Sequence, residues 1–240
     1  MSKLAYDKRF DGRKFEEMRP IEAKVGVVKN AIGSASFRIG KTWAIAAVYG
    51  PRELYPRFLQ NPKSGKLRCS YNMMPFSGCG SRIRPGQNRR AKEISKVTED
   101  SLNPVMDLRD FPNTVVDVFV EIPQADAGTR CAGICAASMA LADAGFGMKD
   151  LVCGVAIGTL NDGKVLVDIN YDEEQLHDLG VADIACAILP NSGKVTLLQM
   201  DGEASPDMLK KALEAAKTAS KEIYEVQKKA LKEKFGGDEQ

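Results

Sequence analysis

The chain has 240 residues, of which 44% are hydrophobic, so it can bury one sizeable core or two small ones. Its 34 lysines and arginines nearly balance its 32 aspartates and glutamates, so the net charge of +2 does not by itself indicate a nucleic-acid-binding protein. No apolar run approaches the roughly 18 residues of a membrane span, and the N-terminus lacks a signal-peptide pattern, so we expect a cytoplasmic protein with no membrane partner.

The six cysteines lie mostly within apolar segments and have no CxxC spacing. We therefore expect reduced core residues rather than disulfides. Cys131 and Cys135 are four residues apart, but His177 is the single histidine and a structural zinc site needs four ligands. We therefore expect no metal site at these cysteines.

The first part of the chain has a polar lead-in followed by strand patterns. Residues 1–18 are polar and charged, and we expect them to be loosely held. Apolar patterning then predicts strands at 21–27, 33–39, 43–49 and 67–76. The third is apolar enough to be buried on both faces. Gly40-Lys41-Thr42 resembles part of a P-loop, but Ala35 stands where that motif needs glycine, so we predict a tight hairpin there.

Two loops carry clustered basic residues. In loop 50–66, basic residues alternate with aromatic residues, a pattern that suits single-stranded nucleic acid but also occurs in ordinary solvated loops. Loop 78–90 contains four arginines and no acid. Because like charges so close together repel one another, this loop favours a polyanionic ligand.

The stretch QADAGTRCAGICAASMALADAG (124–145) follows a predicted strand at 116–122 and has helical apolar spacing. Gly128, Thr129 and Arg130 therefore fall at a strand-to-helix turn. Such a turn directs unpaired backbone N–H groups and the positive end of the helix dipole at one spot, which suits phosphate or carboxylate. A glycine turn with a capping threonine and a solvated arginine explains these three residues equally well.

A further helix is predicted after Asn88, its N-cap, with Arg89 and Arg90 in the first turn. Cations at a helix N-terminus oppose the helix dipole. An anion bound between this turn and the turn at Arg130 would reverse that effect. The two helix starts are therefore candidates for one shared anion site.

The second part of the chain shows two hairpins and a long helix. Asn-Asp-Gly and Asn-Ser-Gly turns predict hairpins that pair strand 152–159 with 165–170, and strand 181–189 with 195–200. An acidic loop, 171–180, lies between them. Ser205-Pro206 begins a helix that runs to about residue 234. Its predicted buried stripe comprises Leu209, Leu213, Ala216, Ile223, Val226 and Leu231.

This order of elements, strands and a helix followed by strands and a helix, predicts an α+β fold. We expect a single domain over 19–234, built of two similar halves at about 19–110 and 111–234. Residues 235–240 are expected to be a frayed tail. No sequence repeat supports the duplication directly.

Two aspartates, Asp178 and Asp183, flank the start of the strand predicted at 181–189. Chemistry on a phosphodiester needs charge neutralised at phosphorus, a nucleophile held in line, and an acid or a metal at the leaving oxygen. The arginines could supply the first two functions and a carboxylate the third. By composition alone, a solvated acidic loop is the more ordinary interpretation.

Several motifs together resemble the RNase PH family, and within it the catalytic RNase PH-type subunits of archaeal exosomes. They cover roughly residues 9–234 and are specific in combination rather than singly. The motifs are DGR (11–13), AVYGPRE (47–53), YNMMPFS (71–77), NRRAKEISK (88–96), VVDVFVEI (115–122), QADAGTRCAG (124–133), ALADAG (140–145) and LLQMDG (197–202).

The resemblance implies an RNase PH-like fold of two βαβα-type halves, with mixed sheets and packed helices. It implies a 3′-to-5′ exoribonuclease that uses inorganic phosphate as co-substrate, releases nucleoside diphosphates and adds 3′ tails in reverse. The family's phosphate-binding positions fall on Arg89, Arg90, Gly128, Thr129 and Arg130. RNA-binding positions fall on Arg52, Arg57, Arg68, Arg82 and Arg84. The catalytic aspartate falls on Asp183, and Mg²⁺ is a candidate cofactor.

The implied partners are the 3′ end of single-stranded RNA, a related inactive RNase PH-type subunit in a hexameric ring, and RNA-binding cap subunits. The family has a second aspartate six residues before the position of Asp183, where this chain has His177. Asp178 is the first choice for that role and Glu174 the second. Two alternatives remain open: a non-catalytic RNA-binding ring subunit, and an RNase PH that trims tRNA 3′ ends.

Overall fold

The computed structural model describes residues 6–79, 82–84, 86, 88–176 and 180–236. The strands are Ile21–Val25 (β1), Gly33–Ile39 (β2), Thr42–Glu53 (β3), Lys66–Met73 (β4), Thr114–Gln124 (β5), Cys153–Thr159 (β6), Val165–Val167 (β7), Ala182–Ile188 (β8) and Val195–Asp201 (β9). The α-helices are Arg89–Leu102 (α1), Thr129–Asp143 (α2), Tyr171–Glu174 (α3) and Pro206–Phe235 (α4). Two short 3₁₀ helices span Arg57–Leu59 and Asn103–Val105.

The strands form two sheets. The first has the order β1-β2-β3-β5-β4 and is mixed, because β4 pairs with β5 in parallel while the other pairs are antiparallel. The second has the order β7-β6-β8-β9 and is antiparallel throughout. The prediction of an α+β fold with mixed sheets and packed helices is confirmed. The division into halves at residue 110 remains a prediction.

Helix α2 contacts both sheets and forms the centre of the core. Nearly all of its side chains are buried. Glycine permits the close approach on each side: a Cβ on Gly33 would lie 2.3 Å from the backbone nitrogen of Ala144, and one on Gly154 would lie 2.5 Å from the carbonyl oxygen of Cys131. Consequently, the N-terminal end of α2, with Gly128 to Arg130, is held at the junction of the two sheets.

The three predicted hairpins are confirmed, but the predicted burial of β3 is wrong. The β2–β3 hairpin turns at Gly40, whose φ is +54°, and the hairpins β6–β7 and β8–β9 form as predicted. Strand β3 is not buried on both faces, because its residues alternate between buried and half-buried from Thr42 to Tyr49 and its last three residues are exposed. Only one face packs on α2, as is usual for a largely antiparallel sheet.

Helix α4 begins at Pro206 with Ser205 as its N-cap, as predicted, but the predicted buried stripe is wrong in part. Ala216 and Ile223 are buried, whereas the other predicted positions are only half-buried. The buried face is instead rich in small residues: Ala212, Ala216, Ala219, Ser220, Ile223, Gln227 and Ala230. Small side chains let the helix approach β1 and β6 closely, and the leucines lie at the margins of the contact.

The described part of the N-terminal lead-in, residues 6–18, is not loosely held. Tyr6 and Arg9 are buried, and Arg9 donates to Glu173 from Nε at 2.8 Å and from Nη2 at 2.7 Å. The Tyr6 hydroxyl donates to the same carboxylate at 2.9 Å. The prediction failed because the carboxylate that pairs with buried Arg9 lies 164 positions away in the chain. In the sequence, this segment therefore shows polar residues with no apparent partner.

All six cysteines are free thiols, and five of them are buried, as expected of reduced core residues. Cys79 differs, because it is exposed. Burial raises the pKa of the thiols of Cys135 and Cys186 to about 12, so both stay protonated at neutral pH. No helix in the described part of the chain is both long enough and apolar enough to cross a bilayer.

Candidate active site

A cavity of about 320 Å³ lies where the N-terminal ends of α1 and α2 meet α3 and the start of β8. Six of its lining residues carry the chemistry predicted from the sequence: Arg90, Gly128, Thr129, Arg130, Glu174 and Asp183. The structure therefore gathers two arginines, a glycine turn and two carboxylates around one space. Arg89 is exposed in the first turn of α1 and does not line this space.

The turn at Gly128 is shaped to present backbone N–H groups. Gly128 is the N-cap of α2 in the left-handed conformation, with φ 62° and ψ 17°. Among the described residues, no side chain caps this helix start. Thr129 is only 4% exposed, and its Oγ1 accepts a hydrogen bond from the Tyr71 hydroxyl at 2.9 Å. Thr129 therefore does not act as a cap, and the first N–H groups of α2 remain available to an anion.

Helix α1 begins beside this turn. Asn88 caps it as predicted, accepting a hydrogen bond from the backbone N–H of Ala91 at 2.8 Å. No acidic residue lies in its first turn, where Arg89 and Arg90 stand. Arg90 thus adds a full positive charge to the partial positive charge of two helix N-termini.

Arg130 is half-buried and is held by a neutral partner. Its Nη1 donates to the Oε1 of Gln199 at 2.7 Å, and its Nε is buried with no partner in the described part of the structure. Neither Arg90 nor Arg130 forms an ion pair with any described carboxylate. Both guanidinium groups therefore keep their charge for a ligand in the cavity.

Asp183 is a carboxyl group of the cavity that interacts electrostatically with both Arg90 and Arg130. It lies near the start of β8, opposite Gly158 on one side and Asp201 on the other. Burial and the neighbouring charge of Glu174 raise its pKa to about 6, with Asp201 adding to the shift and Arg130 and Arg90 opposing it. Such a group exchanges a proton near neutral pH, so it can serve as a general acid or base.

The segment before Asp183 is partly helical rather than a loop. Asn170 caps α3 in a capping box with Glu173, which is fully buried against Arg9. This arrangement fixes the next residue, Glu174, at the cavity. Asp178 and His177 lie outside the described residues, so the structure tests only Glu174, the second choice for the additional acidic position.

The remaining predicted arginines lie outside the cavity. Arg52 and Arg68 both bind Asp117, which is nearly buried, through Arg52 Nε at 3.0 Å and Arg68 Nη2 at 3.1 Å. Burial works against ionisation of Asp117, but the two arginines outweigh it and lower its pKa. Arg57 is exposed and lies 3.6 Å from the carboxylate of Glu53. The two arginines of the 78–90 loop at positions 82 and 84 are exposed.

Sequence reasoning missed Tyr71, Asp117 and Gln199, which form hydrogen bonds with predicted site residues. Asp117 had a visible signal, since it is a single acid within the otherwise apolar run VVDVFV. A buried acid in such a strand needs a cationic partner. Tyr71 and Gln199 gave no comparable signal, because tyrosine and glutamine are ordinary residues of strands.

Two family profiles match this chain. The profile described as "3′ exoribonuclease family, domain 1" (RNase PH) matches residues 17–147, and the profile for domain 2 of the same family matches residues 150–219. Together they account for most of the sequence.

Curated relatives and a solved structure agree with these matches. The chain is 51% identical to the exosome complex component Rrp41 of Methanopyrus kandleri over 230 residues, which covers 96% of this chain and 94% of the relative. It is 51% identical to Rrp41 of Thermococcus kodakarensis over 228 residues, with coverage of 95% and 90%. The crystal structure of rice Rrp46 superimposes with a TM-score of 0.83 at 25% identity, covering 93% of this chain and 100% of that one. The chain therefore belongs to the RNase PH family of 3′ exoribonucleases.

Proposed function

We propose that this protein is the catalytic subunit of an exosome and that it shortens RNA from the 3′ end by phosphorolysis. The observation that carries the proposal is the cavity, which joins two unneutralised arginines and an uncapped helix start to a carboxylate of raised pKa. The first two features suit a small dianion, and the third suits a proton transfer beside it.

Inorganic phosphate is the small anion that this cavity would hold. Arg90 and Arg130 would donate charged hydrogen bonds, and the N–H groups that follow Gly128 would donate neutral ones. Arg89, at the exposed start of α1, would attract the anion from outside without touching it. These contacts would neutralise the nucleophile and the attacked phosphate group, which otherwise repel each other.

The reaction then follows from the positions of the groups. A phosphate oxygen attacks the phosphorus of the last phosphodiester, the bond from that phosphorus to the 3′ oxygen of the preceding nucleotide breaks, and a nucleoside diphosphate leaves. The departing 3′ oxygen needs a proton, and we assign its donation to protonated Asp183. Glu174 would hold that proton on Asp183 through its negative charge.

The RNA would approach past arginines that lie outside the cavity: Arg52, Arg57, Arg68, Arg82 and Arg84. Exposed aromatic rings lie close in sequence to three of these arginines: Phe58, 84% exposed, follows Arg57, and Phe76, 76% exposed, lies between β4 and α1, as Arg82 and Arg84 do. Cations on the phosphates and rings under the bases suit a single strand of any sequence.

Mg²⁺ is a further proposal. The described residues contain no cluster of three or more histidine, cysteine, aspartate or glutamate side chains that could hold a metal. Mg²⁺, however, often takes only one or two carboxylates and completes its shell with substrate phosphates and water. Ionised Asp183 and Glu174 would supply those carboxylates, and the metal would then take the place of protonated Asp183 in stabilising the charge that develops on the departing oxygen.

The relatives' names support assembly with other exosome subunits. We propose a hexameric ring in which this chain alternates with a related inactive subunit, together with RNA-binding cap subunits, in the cytoplasm. A chain that instead forms an active ring alone and trims tRNA 3′ ends would be an RNase PH, the alternative assignment.

The test is to incubate the protein, alone and reconstituted with its ring partner, with 3′-tailed RNA in the presence and absence of phosphate. We expect nucleoside diphosphates to be released only when phosphate is present. Nucleoside monophosphates released independently of phosphate would refute phosphorolysis. Phosphate-dependent activity that survives unchanged in Asp183→Asn would refute the catalytic assignment and favour a subunit that only binds RNA.

A further inference from the structure

Gln199 lies on β9, the edge strand of the second sheet, and connects the two arginine-bearing helix starts. Its Oε1 accepts from Arg130 Nη1 at 2.7 Å, and its Nε2 donates to Glu93 Oε1 at 3.3 Å. Glu93 lies one turn after Arg89 and Arg90 on α1. We propose that Gln199 is a positioning residue that aims Arg130 at phosphate while leaving its charge unneutralised. The inference rests on the proposed function.

The chemistry of the neighbours fixes the orientation of the Gln199 amide. A guanidinium group can only donate hydrogen bonds, and an ionised carboxylate can only accept them. The amide oxygen must therefore face Arg130 and the amide nitrogen must face Glu93. The reversed amide would place a donor against a donor and an acceptor against an acceptor, so Glu93 holds Gln199 in the orientation that Arg130 needs.

Gln199 is the hydrogen-bond acceptor that the described residues offer to the Arg130 side chain. The Nε of Arg130 is buried without a partner, so among the described residues no second hydrogen bond fixes the rotation of its guanidinium group. Gln199 is itself held by its place in β9, opposite Ala185 of β8, and Ala185 lines the cavity. The edge strand thus determines which way the nitrogen atoms of Arg130 point.

A neutral acceptor has a specific advantage at this position. Where this protein uses arginine structurally, it pairs the side chain with a carboxylate, as in Arg9 with Glu173 and Arg19 with Asp168. A carboxylate at position 199 would hold Arg130 as firmly, but it would cancel the charge and compete with phosphate for the same nitrogen atoms. Glutamine orients the guanidinium group without that competition.

The test compares two substitutions of similar size, Gln199→Glu and Gln199→Met, in the full-length chain reconstituted with its ring partner. We expect Gln199→Glu to raise the KM for inorganic phosphate by roughly 10- to 100-fold, because a salt bridge replaces the neutral bond. Gln199→Met should raise it by about 3- to 10-fold, because Arg130 loses its orientation. The KM for RNA should stay within about twofold, since RNA contacts lie elsewhere.

Thr196→Val is the matched control. Thr196 lies on the same edge strand and its hydroxyl donates to the Ala187 carbonyl oxygen, so this change also removes a hydrogen bond from β9. We expect an unchanged phosphate KM in the control. Equal phosphate KM values in wild type and both Gln199 variants would overturn the inference, as would equal rises in the KM values for phosphate and RNA.

Failure of this inference is separable from failure of the proposed function. If the wild-type ring releases nucleoside diphosphates only with phosphate and the Gln199 variants match it, the function stands and Gln199 has no positioning role. If the wild-type ring shows no dependence on phosphate, the proposed function fails. Calorimetric titration of the same variants with inorganic phosphate supplies a second readout, and we expect the same order of affinities.

Discussion

Two pairs of arginines in this protein differ in whether an acid neutralises them. Arg52 and Arg68 share Asp117, so two positive charges face one negative charge and one net positive charge remains. Arg90 and Arg130 face the cavity with no ion pair to any described carboxylate, so both charges remain. Composition alone does not distinguish these pairs, because what separates them is the partner that folding provides.

The difference suggests a division of labour. A single-stranded RNA must advance by one nucleotide after each cycle, so its contacts should be numerous and individually weak. Arginines partly neutralised by Asp117 provide such contacts. A phosphate dianion held in line for attack needs strong, directed contacts, and only unneutralised guanidinium groups at a helix start provide them.

The largest expected effect is that of Asp183→Asn, which removes the acid that faces the unneutralised pair. We expect kcat to fall by about 10²- to 10⁴-fold, the usual contribution of a general acid. The KM for phosphate should not rise, because the asparagine also removes a negative charge from the cavity. Activity assays at saturating phosphate measure both quantities. A kcat within about threefold of wild type would exclude Asp183 as the acid.

The same substitution should stabilise the free protein. The pKa of Asp183 rises from 3.8 in the unfolded chain to about 6 in the folded protein. Ionisation of Asp183 therefore destabilises the folded state fully at pH values above the folded pKa. Below the unfolded pKa the carboxyl group is protonated in both states, and this destabilisation is absent. The destabilisation is roughly 3 kcal/mol at neutral pH, from about 1.4 kcal/mol per pKa unit. Thermal melts at acidic and neutral pH should show a gain for Asp183→Asn only at neutral pH, and equal gains at both would contradict this assignment.

The second-largest loss of activity is expected when the arginine removed comes from the cavity pair rather than from the pair at Asp117. Arg130→Met should lower kcat/KM for phosphate by roughly 10- to 100-fold, the worth of a charged hydrogen bond, and leave the KM for RNA nearly unchanged. Arg68→Met is the matched control, since Arg52 still pairs with Asp117. We expect the control to leave the KM for phosphate unchanged. If the two variants weaken phosphate binding equally, the two pairs do not have separate roles.

A smaller effect is expected in the salt dependence of RNA binding. Arg68→Met should reduce the slope of log K against log salt by at most about 0.7, the value for one phosphate contact on a single strand. The reduction should fall short of that limit, because Asp117 already offsets part of the charge. Fluorescence anisotropy of a labelled RNA across a salt series measures the slope. An unchanged slope would remove Arg68 from the RNA path.

The smallest effect is expected for Tyr71→Phe. Burial raises the pKa of Tyr71 to about 12, so its hydroxyl is neutral and donates to Thr129 at neutral pH. While Tyr71 occupies one lone pair of Thr129, the threonine hydroxyl hydrogen points elsewhere and is available to an anion. We expect a rise of about threefold in the phosphate KM, in line with one neutral hydrogen bond, without change in RNA affinity. A weakened RNA affinity would contradict this role.

Features that depend on neighbouring residues could be predicted from the sequence. The Asn88 cap, the Ser205-Pro206 helix start and the glycine turns each act within a few residues. The meeting of the helix starts that carry Arg90 and Arg130 was also predicted, whereas the place of Asp183 beside them followed from the resemblance to the RNase PH family.

Features that depend on distant pairing could not be predicted. Arg52 and Asp117 are 65 residues apart, Arg130 and Gln199 are 69 apart, and Arg9 and Glu173 are 164 apart. A polar residue shows in sequence that it needs a partner when buried, but not which partner the fold provides. The prediction of the face that α4 buries was wrong in part for the same reason, because close packing against β1 and β6 requires alanine rather than leucine at the contact.

The most direct test of the shared site is whether an anion in the cavity changes the protonation of Asp183. Sulfate is a suitable probe because, unlike phosphate, it does not itself take up a proton near neutral pH. Calorimetric titration with sulfate in two buffers of different ionisation enthalpy measures the protons taken up at about pH 6 to 7, just above the pKa of Asp183. We expect uptake by the wild-type protein and none by Asp183→Asn. Sulfate binding without proton uptake in the wild type would mean that Arg90, Arg130 and Asp183 do not face the same anion.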